Sequence, residues 1–294
     1  MQFFKLINSL LAANRNTSDL GTSISQYAVV PFAPNAGFIS WVTGSDTLQV
    51  LVSEYRSHWH IKKNIEIDIY TQFCGPIYNH LNSCQKHEVF NEVASKQNAG
   101  ELREMLWLRS PDASSWLQRS TFFTISTALM SMAGYTIGLG DRHPSNIMVQ
   151  RHTGRCLHID FGDSFEVAMN RPAFSERVPF RMTRMMVNAL DMGCVDGMFR
   201  TICEDVLWVL RESQSSIIAL MEVFVHEPIF YGKEIRPSTK AQKGILERVA
   251  AKLKGNDPAP YDNPDIIYEV GQQVDTLIKK ASDPHEYVRH YVGW

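Results

Sequence analysis

The stretch 138–162 constrains the fold of this chain more than any other part of the sequence. A loop punctuated by glycines leads into two short apolar runs, 146–150 and 156–159. The Thr-Gly pair between these runs is typical of a tight turn, so the pattern predicts a β-hairpin. Such a hairpin would bring Asn146, at the start of its first strand, and Asp160, directly after its second strand, to one cleft.

The polar residues around this hairpin have the spacing that phosphoryl transfer requires. That reaction needs a carboxylate near the attacking hydroxyl and oxygen ligands that hold Mg²⁺ on the phosphates. Asp141 and Asn146 have the Asp-to-Asn spacing of a protein-kinase catalytic loop, and Asp160 opens an Asp-Phe-Gly motif. A lone Asp-Phe-Gly or Gly-x-Gly is commonplace and usually structural. In this order, with a hairpin between them, the motifs indicate the phosphate-handling part of a kinase active site.

The rest of the chain has the pattern of a mostly helical protein with a few short strands. The elements predicted are an amphipathic helix from Met1, strands at 27–31 and 37–42 around a Pro34-Asn35 turn, a helix from an Asp46 N-cap to about Tyr55, a polar helical stretch at 58–100, a buried helix at 114–134, apolar helical periodicity at 203–211 and 216–225, and a last helix from Asp265 to Ala281.

The order Asp-Arg-His at 141–143, instead of His-Arg-Asp, differs from that of ordinary protein kinases. The sequence Gly-Leu-Gly-Asp-Arg-His-Pro-Ser-Asn at 138–146, with His-Ile-Asp-Phe-Gly at 158–162, resembles the phosphatidylinositol-3-kinase-related superfamily. The segments 163–168 and 178–184 are similar more specifically to the target-of-rapamycin protein kinases. The similarity covers nearly the whole chain.

This resemblance implies an α+β, protein/lipid-kinase-like fold. It implies a mostly helical C-lobe, a partial β N-lobe and a C-terminal helical tail like the FATC segment. The implied divisions are a partial N-lobe at 1–41, a C-lobe at 42–254 with an insertion at 58–100, a catalytic loop at 138–146 and an activation segment at 160–181, and a linker with a truncated FATC-like tail at 255–294.

The resemblance also implies roles for four polar residues. Asp141 and His143 would orient and deprotonate the substrate hydroxyl or stabilise the transferring group. Asn146 and Asp160 would hold Mg²⁺, with Mn²⁺ as a substitute.

Seven residues would hold ATP if the family pattern carries over. Judged by pattern alone, Trp41 and Met148 would be ordinary core residues. The implied set is Tyr27, Ile39, Met148 and Ile159 as walls around the base, Trp41 and Val42 in the hinge, and Thr47 near the ribose.

The implied partners are protein substrates, the other subunits of a large kinase complex, and a β-propeller (WD-repeat) subunit that docks on the insertion at 58–100. The cysteines and histidines of that insertion resemble a zinc site only loosely, because zinc sites normally show paired short spacings. They are Cys74, His80, Cys84 and His87.

Composition excludes several other classes of protein. A net charge of -2 and a pI near 6.6 argue against a dedicated nucleic-acid binder. No apolar run is long enough to span a membrane, and Lys5 breaks the pattern of a signal peptide. The five scattered cysteines indicate a reducing compartment, so we expect a cytoplasmic protein, peripheral on endomembranes through its complex.

Three functions remain open at this point. Residues 163–178 contain three acidic residues, two arginines and no lysine, which favours a serine/threonine protein kinase over a phosphatidylinositol 3/4-kinase-type lipid kinase. The third is an inactive, truncated fragment that binds partners. The glycine-rich loop and strand lysine of such kinases are missing before the first helix, so we expect the isolated chain to show little or no transfer.

Overall fold

The computed structural model describes residues 1–18, 21, 23–33, 36–73, 77, 80–171, 175–192, 194–226, 239–256 and 266–287. In chain order its elements are α1 (Gln2–Ala13), β1 (Val29–Ala33), β2 (Ala36–Ile39), β3 (Ser45–Thr47), α2 (Leu48–His58), α3 (Ile65–Phe73), α4 (Ser83–Lys96), α5 (Glu101–Leu108), α6 (Ala113–Ile137), β4 (Ile147–Gln150), β5 (Cys156–His158), α7 (Arg184–Ala189), α8 (Met198–Glu212), α9 (Gln214–His226), α10 (Thr239–Lys254), α11 (Val270–Ser282) and α12 (Pro284–Tyr287).

The chain divides into two compact units. The first combines Met1–Thr43 with Ile202–Asp275, and the second combines Gly44–Thr201 with Thr276–Trp294.

Helical packing forms the core of the first unit. Helix α1 buries four apolar side chains on one face, as the spacing of an amphipathic helix requires: Phe3, Phe4, Ile7 and Leu11. It packs against α9, and α9 packs against α10. The side chain of Asn8 bonds to both the N–H and the carbonyl oxygen of Ile24, at 2.8 and 2.9 Å, and this fixes the chain that follows α1.

Strands β1 and β2 of the first unit pair as an antiparallel hairpin, with Val29 opposite Ile39. Most of its apolar side chains are exposed, and the rings of Phe32 and Phe38 contact each other with centroids 4.9 Å apart. The predicted strands are therefore confirmed with shifted limits. The predicted turn at Pro34 and Asn35 lies outside the described residues.

The second unit contains an antiparallel sheet with the strand order β3-β4-β5. The predicted hairpin corresponds to β4 and β5, and β3 adds a third strand that the pattern did not reveal. Thr47 of β3 lies opposite Met148 of β4, which in turn lies opposite Leu157 of β5. The sheet therefore brings a segment near residue 47 beside the hairpin that the motifs flank.

The predicted N-cap at Asp46 was wrong. The hydroxyl of Thr47 accepts the hydrogen bond from the N–H of Val50 at 3.2 Å and caps α2. Asp46 is 8% exposed, and its carboxylate bonds instead to the guanidinium groups of Arg151 and Arg109, with shortest distances of 2.7 Å to each. These bonds, chiefly the one from Arg151, lower the pKa of Asp46 to about 2.

Helix α6 forms the centre of the second unit. It begins at the N-cap Asp112, whose carboxylate accepts from the N–H of Ser115 at 2.7 Å, and its residues 123–137 are all buried. Two of its buried hydroxyls are paired within the helix: those of Thr124 and Thr136 each donate to the carbonyl four residues earlier. This confirms the buried helix predicted at 114–134 and extends it to the start of the catalytic loop.

The mostly helical α+β class is confirmed. Helices α8 and α9 coincide with the predicted periodic segments, whereas α11 begins at Val270, later than predicted. Among the described residues no helix combines the length and the apolar character needed to cross a membrane.

Candidate functional site

The catalytic loop begins where α6 ends at Gly138. This glycine has a φ of +60°, a left-handed conformation that favours glycine, and a Cβ there would lie 2.8 Å from the backbone nitrogen of Glu166. The loop is paired with the segment after Asp-Phe-Gly. Gly140 donates to the carbonyl of Asp163 at 2.8 Å, and Glu166 donates to the carbonyl of Gly138 at 2.9 Å.

Asp141 and Asn146, which have the catalytic-loop spacing, are in direct contact in the structure. The side-chain amide of Asn146 donates to the main-chain carbonyl of Asp141 at 2.9 Å. Asn146 is buried, and its main-chain carbonyl accepts a hydrogen bond from the N–H of Ile159 at 3.0 Å. The backbone bond between Asn146 and Ile159 therefore joins the end of the catalytic loop to the residue that precedes Asp160, at the open end of the β4–β5 hairpin.

Arg142 connects the two motifs. Its guanidinium donates to the carbonyls of Gly140 and Ile159, at 2.8 Å each, and to that of Asp160. The same group lies 5.7 Å from the centroid of the Phe161 ring. Arg142 is 5% exposed, so these carbonyls replace the water that its charge loses on burial. The motif contains this arginine, but sequence alone did not reveal its role.

Asp160 and Asp141 are both in left-handed backbone conformations, with φ of +57° and +58°. Phe165 and Glu166 share that conformation. Residues other than glycine adopt it at a cost, and such residues cluster at functional sites. The Asp160 side chain is exposed and accepts from the N–H of Gly162 at 3.2 Å.

Two histidines flank these carboxylates. Nδ1 of His143 accepts from the N–H of Ser145 at 3.2 Å, which leaves Nε2 as its other polar atom. His158 has a buried Nδ1 with no hydrogen-bond partner among the described residues. Burial, reinforced by the charge of Arg142, lowers the pKa of His158 to about 3, so this imidazole is neutral at physiological pH.

The activation segment folds back onto Asp141. Arg171 lies 3.3 Å from the Asp141 carboxylate and also pairs with Asp163. The carboxylate of Glu176 accepts from the main-chain N–H of Asp141 at 2.7 Å. At the level of sequence, Arg171 and Glu176 counted only toward the charge of the segment, because no local pattern shows which residue they reach.

The seven candidate nucleotide residues are distributed over both units. In the second unit, Thr47 and Met148 are paired across β3 and β4, and Ile159 directly follows β5. The first unit contains Tyr27, Ile39, Trp41 and Val42; Ile39 is 70% exposed and Trp41 is 88% exposed. The structure therefore pairs two of the predicted residues, Thr47 and Met148, within one sheet and places Ile159 directly after its last strand.

Two side-chain oxygen donors beside the catalytic loop and the Asp-Phe-Gly motif are of the type that magnesium prefers. Asn146 bonds to Asp141 through its amide nitrogen, so its side-chain oxygen is not used in that bond, and Asp160 has a carboxylate. Kinase Mg²⁺ is typically held by one or two side chains together with phosphates and water. The described residues contain no group of three or more His, Cys, Asp or Glu side chains placed to hold a metal ion.

Two of the insertion residues that loosely resembled a zinc site, His87 and Cys84, have contacts or exposure that the structure describes. His87 stacks on His285 with ring centroids 4.4 Å apart, and Cys84 is exposed with a free thiol. Cys74 lies outside the described residues.

Comparison with known proteins identifies two regions of the chain. Residues 1–231 match the family model described as phosphatidylinositol 3- and 4-kinase, and residues 269–294 match the FATC domain model. Serine/threonine-protein kinase TOR of Oryza sativa subsp. japonica is 48% identical over 229 residues, which cover 78% of this chain and 9% of that protein. Serine/threonine-protein kinase tor1 of Schizosaccharomyces pombe is 37% identical over an alignment of 339 residues, which covers 100% of this chain and 14% of that protein. The chain thus spans between 9% and 14% of the length of these two relatives.

Solved structures also resemble the chain. The structure titled "FAT and kinase domain of CtTel1" superimposes with a TM-score of 0.85 and 26% identity, and the match covers 100% of this chain and 20% of that chain. The structure titled "Complete CtTel1 dimer with C2 symmetry" gives the same score and identity over 11% of that chain.

Proposed function

Because the chain belongs to the phosphatidylinositol 3- and 4-kinase family, we propose that it carries the catalytic centre for ATP-dependent phosphoryl transfer to serine or threonine of protein substrates. The activity belongs to a target-of-rapamycin-like kinase of growth and nutrient signalling. The names of the relatives support the choice within the family, since the rice and fission-yeast proteins are both described as serine/threonine-protein kinases.

One observation carries this proposal: the contact between Asp141 and Asn146, continued to Asp160. The Asn146 amide bonds to the Asp141 carbonyl, and Arg142 bonds to the carbonyl of Asp160. The catalytic loop and the Asp-Phe-Gly motif are therefore held as one constellation. Phosphoryl transfer depends mainly on positioning and electrostatic stabilisation, for which such a rigid arrangement is suited.

Each residue of the constellation then has a role. The carboxylate of Asp141 orients the substrate hydroxyl and accepts its proton, and His143, through Nε2, stabilises the transferring group. Asn146 and Asp160 hold Mg²⁺, with Mn²⁺ as a substitute, and that cation when bound supplies positive charge to the phosphates. Arg142 keeps the two motifs in register without contacting the reacting atoms.

ATP is the phosphoryl donor in this proposal. Thr47, Met148 and Ile159 are assigned to the ribose and the base. The pairing of Thr47 with Met148, and the position of Ile159 directly after β5 of the same sheet, support this assignment. For the first unit, the resemblance to the family is the only support: it implies Tyr27 and Ile39 as walls around the base, and Trp41 and Val42 as the hinge, with backbone groups of Val42 for adenine.

A protein substrate suits the activation segment better than an inositol phosphate does. A lipid kinase must neutralise an anionic headgroup and uses basic residues for that purpose. Here Arg171 is already paired with Asp141 and Asp163, and Glu176 adds a further carboxylate. The charge of Arg171 is therefore already compensated by carboxylates of the same unit.

The test is a kinase assay on the full natural chain that contains this sequence. The substrates are a serine/threonine peptide mixture and vesicles containing phosphatidylinositol. We expect phosphate on the peptides, and near-complete loss in Asp141→Ala and in Asp160→Ala, with Asp196→Ala, an exposed aspartate, as the matched control. Transfer to the lipid alone would assign the lipid kinase function. Parental kcat in Asp160→Ala would overturn the site.

The insertion at 58–100 is proposed as the docking surface of a β-propeller subunit within a larger complex. Its base is fixed by Arg56, which is fully buried and pairs with Glu66 at 2.5 Å and with Glu101 at 2.8 Å. Helices α3 and α4 pack against each other beyond this base, and exposed Trp59 and Ile67 lie near it. Through this complex the kinase would act in the cytoplasm, peripherally on endomembranes.

Deletion of 64–97 in the full chain tests the docking proposal. We expect a purified WD-repeat subunit of the same organism to be lost from a pull-down, whereas binding of peptide substrate remains. Undiminished recovery of that subunit would contradict the assignment.

A further inference from the structure

Asp141 has a main-chain conformation that must be held in place. Its φ of +58° is left-handed, and it is the first residue after the glycine-punctuated part of the loop. A residue other than glycine keeps that conformation only where its surroundings fix it. The orientation of the Asp141 carboxylate depends on this backbone, because the side chain starts from it.

Both polar groups of the Asp141 main chain are bonded, and by different parts of the unit. The carbonyl accepts from the Asn146 side chain, which belongs to the catalytic loop itself. The N–H donates to the Glu176 carboxylate at 2.7 Å, from the far end of the activation segment. Two hydrogen bonds therefore hold the Asp141 main chain, one at its N–H and one at its carbonyl.

The position of Glu176 next to Asp141 depends on contacts within the activation segment and between that segment and the catalytic loop. Its own N–H donates to the carbonyl of Ala168 at 3.1 Å, and Ala168 packs directly on Gly140. A Cβ on Gly140 would lie 2.3 Å from the Ala168 Cβ and 3.5 Å from the Glu176 carboxylate. The glycine therefore allows the close approach of Ala168, whose carbonyl holds the main chain of Glu176.

The surroundings of Glu176 indicate that its carboxylate is held for this contact. Burial raises the pKa of Glu176, and the bond from the Asp141 N–H is the largest opposing influence, followed by the charge of Arg181. Desolvating a carboxylate is costly unless donors compensate for the lost water. Arg171, from the same segment, approaches the Asp141 carboxylate at 3.3 Å. The activation segment thus contacts Asp141 at both its main chain and its side chain.

We propose that Glu176 is a positioning residue for phosphoryl transfer, which fixes the Asp141 backbone and so couples the conformation of the activation segment to the catalytic carboxylate. This inference rests on the proposed function of Asp141. In this inference Glu176 contacts neither substrate nor metal. Its carboxylate acts only by accepting the hydrogen bond from the main-chain N–H of Asp141.

The experiment separates the reach of the side chain from its charge. Glu176→Gln keeps an oxygen at the same distance but no charge, whereas Glu176→Asp keeps the charge but is one methylene too short. In the full natural chain, kcat and the KM values for ATP and for peptide are measured for both variants and for Glu176→Ala. Glu247→Gln and Glu247→Asp, at an exposed position on α10, are the matched controls.

We expect Glu176→Gln to retain kcat within about fivefold, and Glu176→Asp and Glu176→Ala to lose about 10- to 100-fold, since misplacing a reacting group by about 1 Å has effects of that size. The KM values should change by less than about threefold, because uniform binding is untouched. Parental kcat in Glu176→Asp, or an equal loss in Gln and Asp, would overturn the inference.

The design distinguishes this inference from the proposed function. If the parent shows no more transfer than Asp160→Ala, the proposed function fails. If the parent is active, Asp160→Ala is inactive and Glu176→Asp equals the parent, only the role of Glu176 fails.

Discussion

The side-chain amide of Asn146 donates a hydrogen bond of 2.9 Å to the main-chain carbonyl of Asp141. This bond gives a physical reason for the five-residue spacing of the two residues: the loop between them closes on itself. The side-chain nitrogen of Asn146 is thereby bonded within the loop, and its side-chain oxygen is the atom that the proposed Mg²⁺ site would use. In that proposal a single residue would both shape the catalytic loop and act as a metal ligand.

Replacing Asn146 by aspartate should separate these two contributions. Asn146→Asp keeps an oxygen ligand for Mg²⁺ but places a carboxylate against the Asp141 carbonyl in place of a donor. We expect kcat to fall about 10- to 100-fold because the loop loses its closure. Asn188→Asp, which removes an exposed bond from Asn188 to the Ala99 carbonyl, should leave kcat within about twofold, as surface substitutions usually do. The measurement is steady-state phosphorylation of peptide across a range of Mg²⁺ concentrations, and parental kcat in Asn146→Asp would contradict the role.

Replacing Arg142 by lysine should loosen the link between the two motifs. A lysine ammonium cannot span the three carbonyls that the guanidinium bonds, and each buried carbonyl left without a donor costs about 1–3 kcal/mol. We expect faster hydrogen exchange in residues 138–146 and 158–163, read by mass spectrometry on the full chain. Arg200→Lys, at a surface ion pair with Asp196, should leave exchange unchanged in those residues. Equal protection in both variants would show that Arg142 is dispensable for the link.

Much of this architecture follows from local pattern. The apolar face of α1, the buried length of α6 and the turn between β4 and β5 all depend on residues close in sequence, and each prediction is confirmed. The resemblance to the target-of-rapamycin kinases is likewise confirmed by relatives 37–48% identical. The sequence showed the spacing of Asp141 and Asn146, whereas the hydrogen bond between them is a finding of the structure. Their catalytic roles remain predictions.

The parts that sequence did not reveal depend on distant partners. Asp46 and Thr47 are both residues that cap helices well, and the choice between them is decided by Arg109 and Arg151, about 60 and 100 positions away. Strand β3 has three residues and no alternation of its own, so only its pairing with β4 defines it. Glu176 reaches Asp141 over 35 positions, for which no periodicity gives a signal.

A methyl group at Gly140 should disturb the catalytic loop. The added Cβ would lie 2.3 Å from the Cβ of Ala168, and neither side chain has a flexible end that could move away. We expect Gly140→Ala to destabilise the loop by about 1–3 kcal/mol, the usual cost of overpacking, and to lower kcat. Local stability is read from hydrogen exchange of residues 137–141 and 163–168 in the full chain.

Gly244→Ala is the matched control for this change. Gly244 lies inside α10, where the nearest atom to an added Cβ is the end of the Arg248 side chain at 3.7 Å. Alanine should stabilise that helix by about 0.5–1 kcal/mol and leave kcat unchanged. If Gly140→Ala likewise leaves kcat unchanged and does not lower local stability, the close approach of Ala168 does not require a glycine at position 140.

The last prediction concerns the dependence of stability on pH at Asp46. Hydrogen bonds from Arg151 and then Arg109 lower the pKa of this carboxyl to about 2 in the folded protein, from 3.8 in the unfolded chain. A carboxyl whose pKa is depressed by folding stabilises the folded state above the unfolded pKa, and this contribution is lost as the pH falls toward the folded pKa. We expect Asp46→Asn to lower the stability of the β3–β4 pair by roughly 1–2 kcal/mol at pH 7. This loss of stability relative to the parent should shrink between pH 4 and about 2.

Hydrogen exchange of residues 45–50 and 147–151, corrected for the intrinsic rate at each pH, measures this difference. Asp68→Asn, at an exposed ion pair with Lys62, is the control and should show little difference at any pH. A difference for Asp46→Asn that stays constant from pH 7 to 2 would mean that the two arginines do not stabilise the ionised carboxylate.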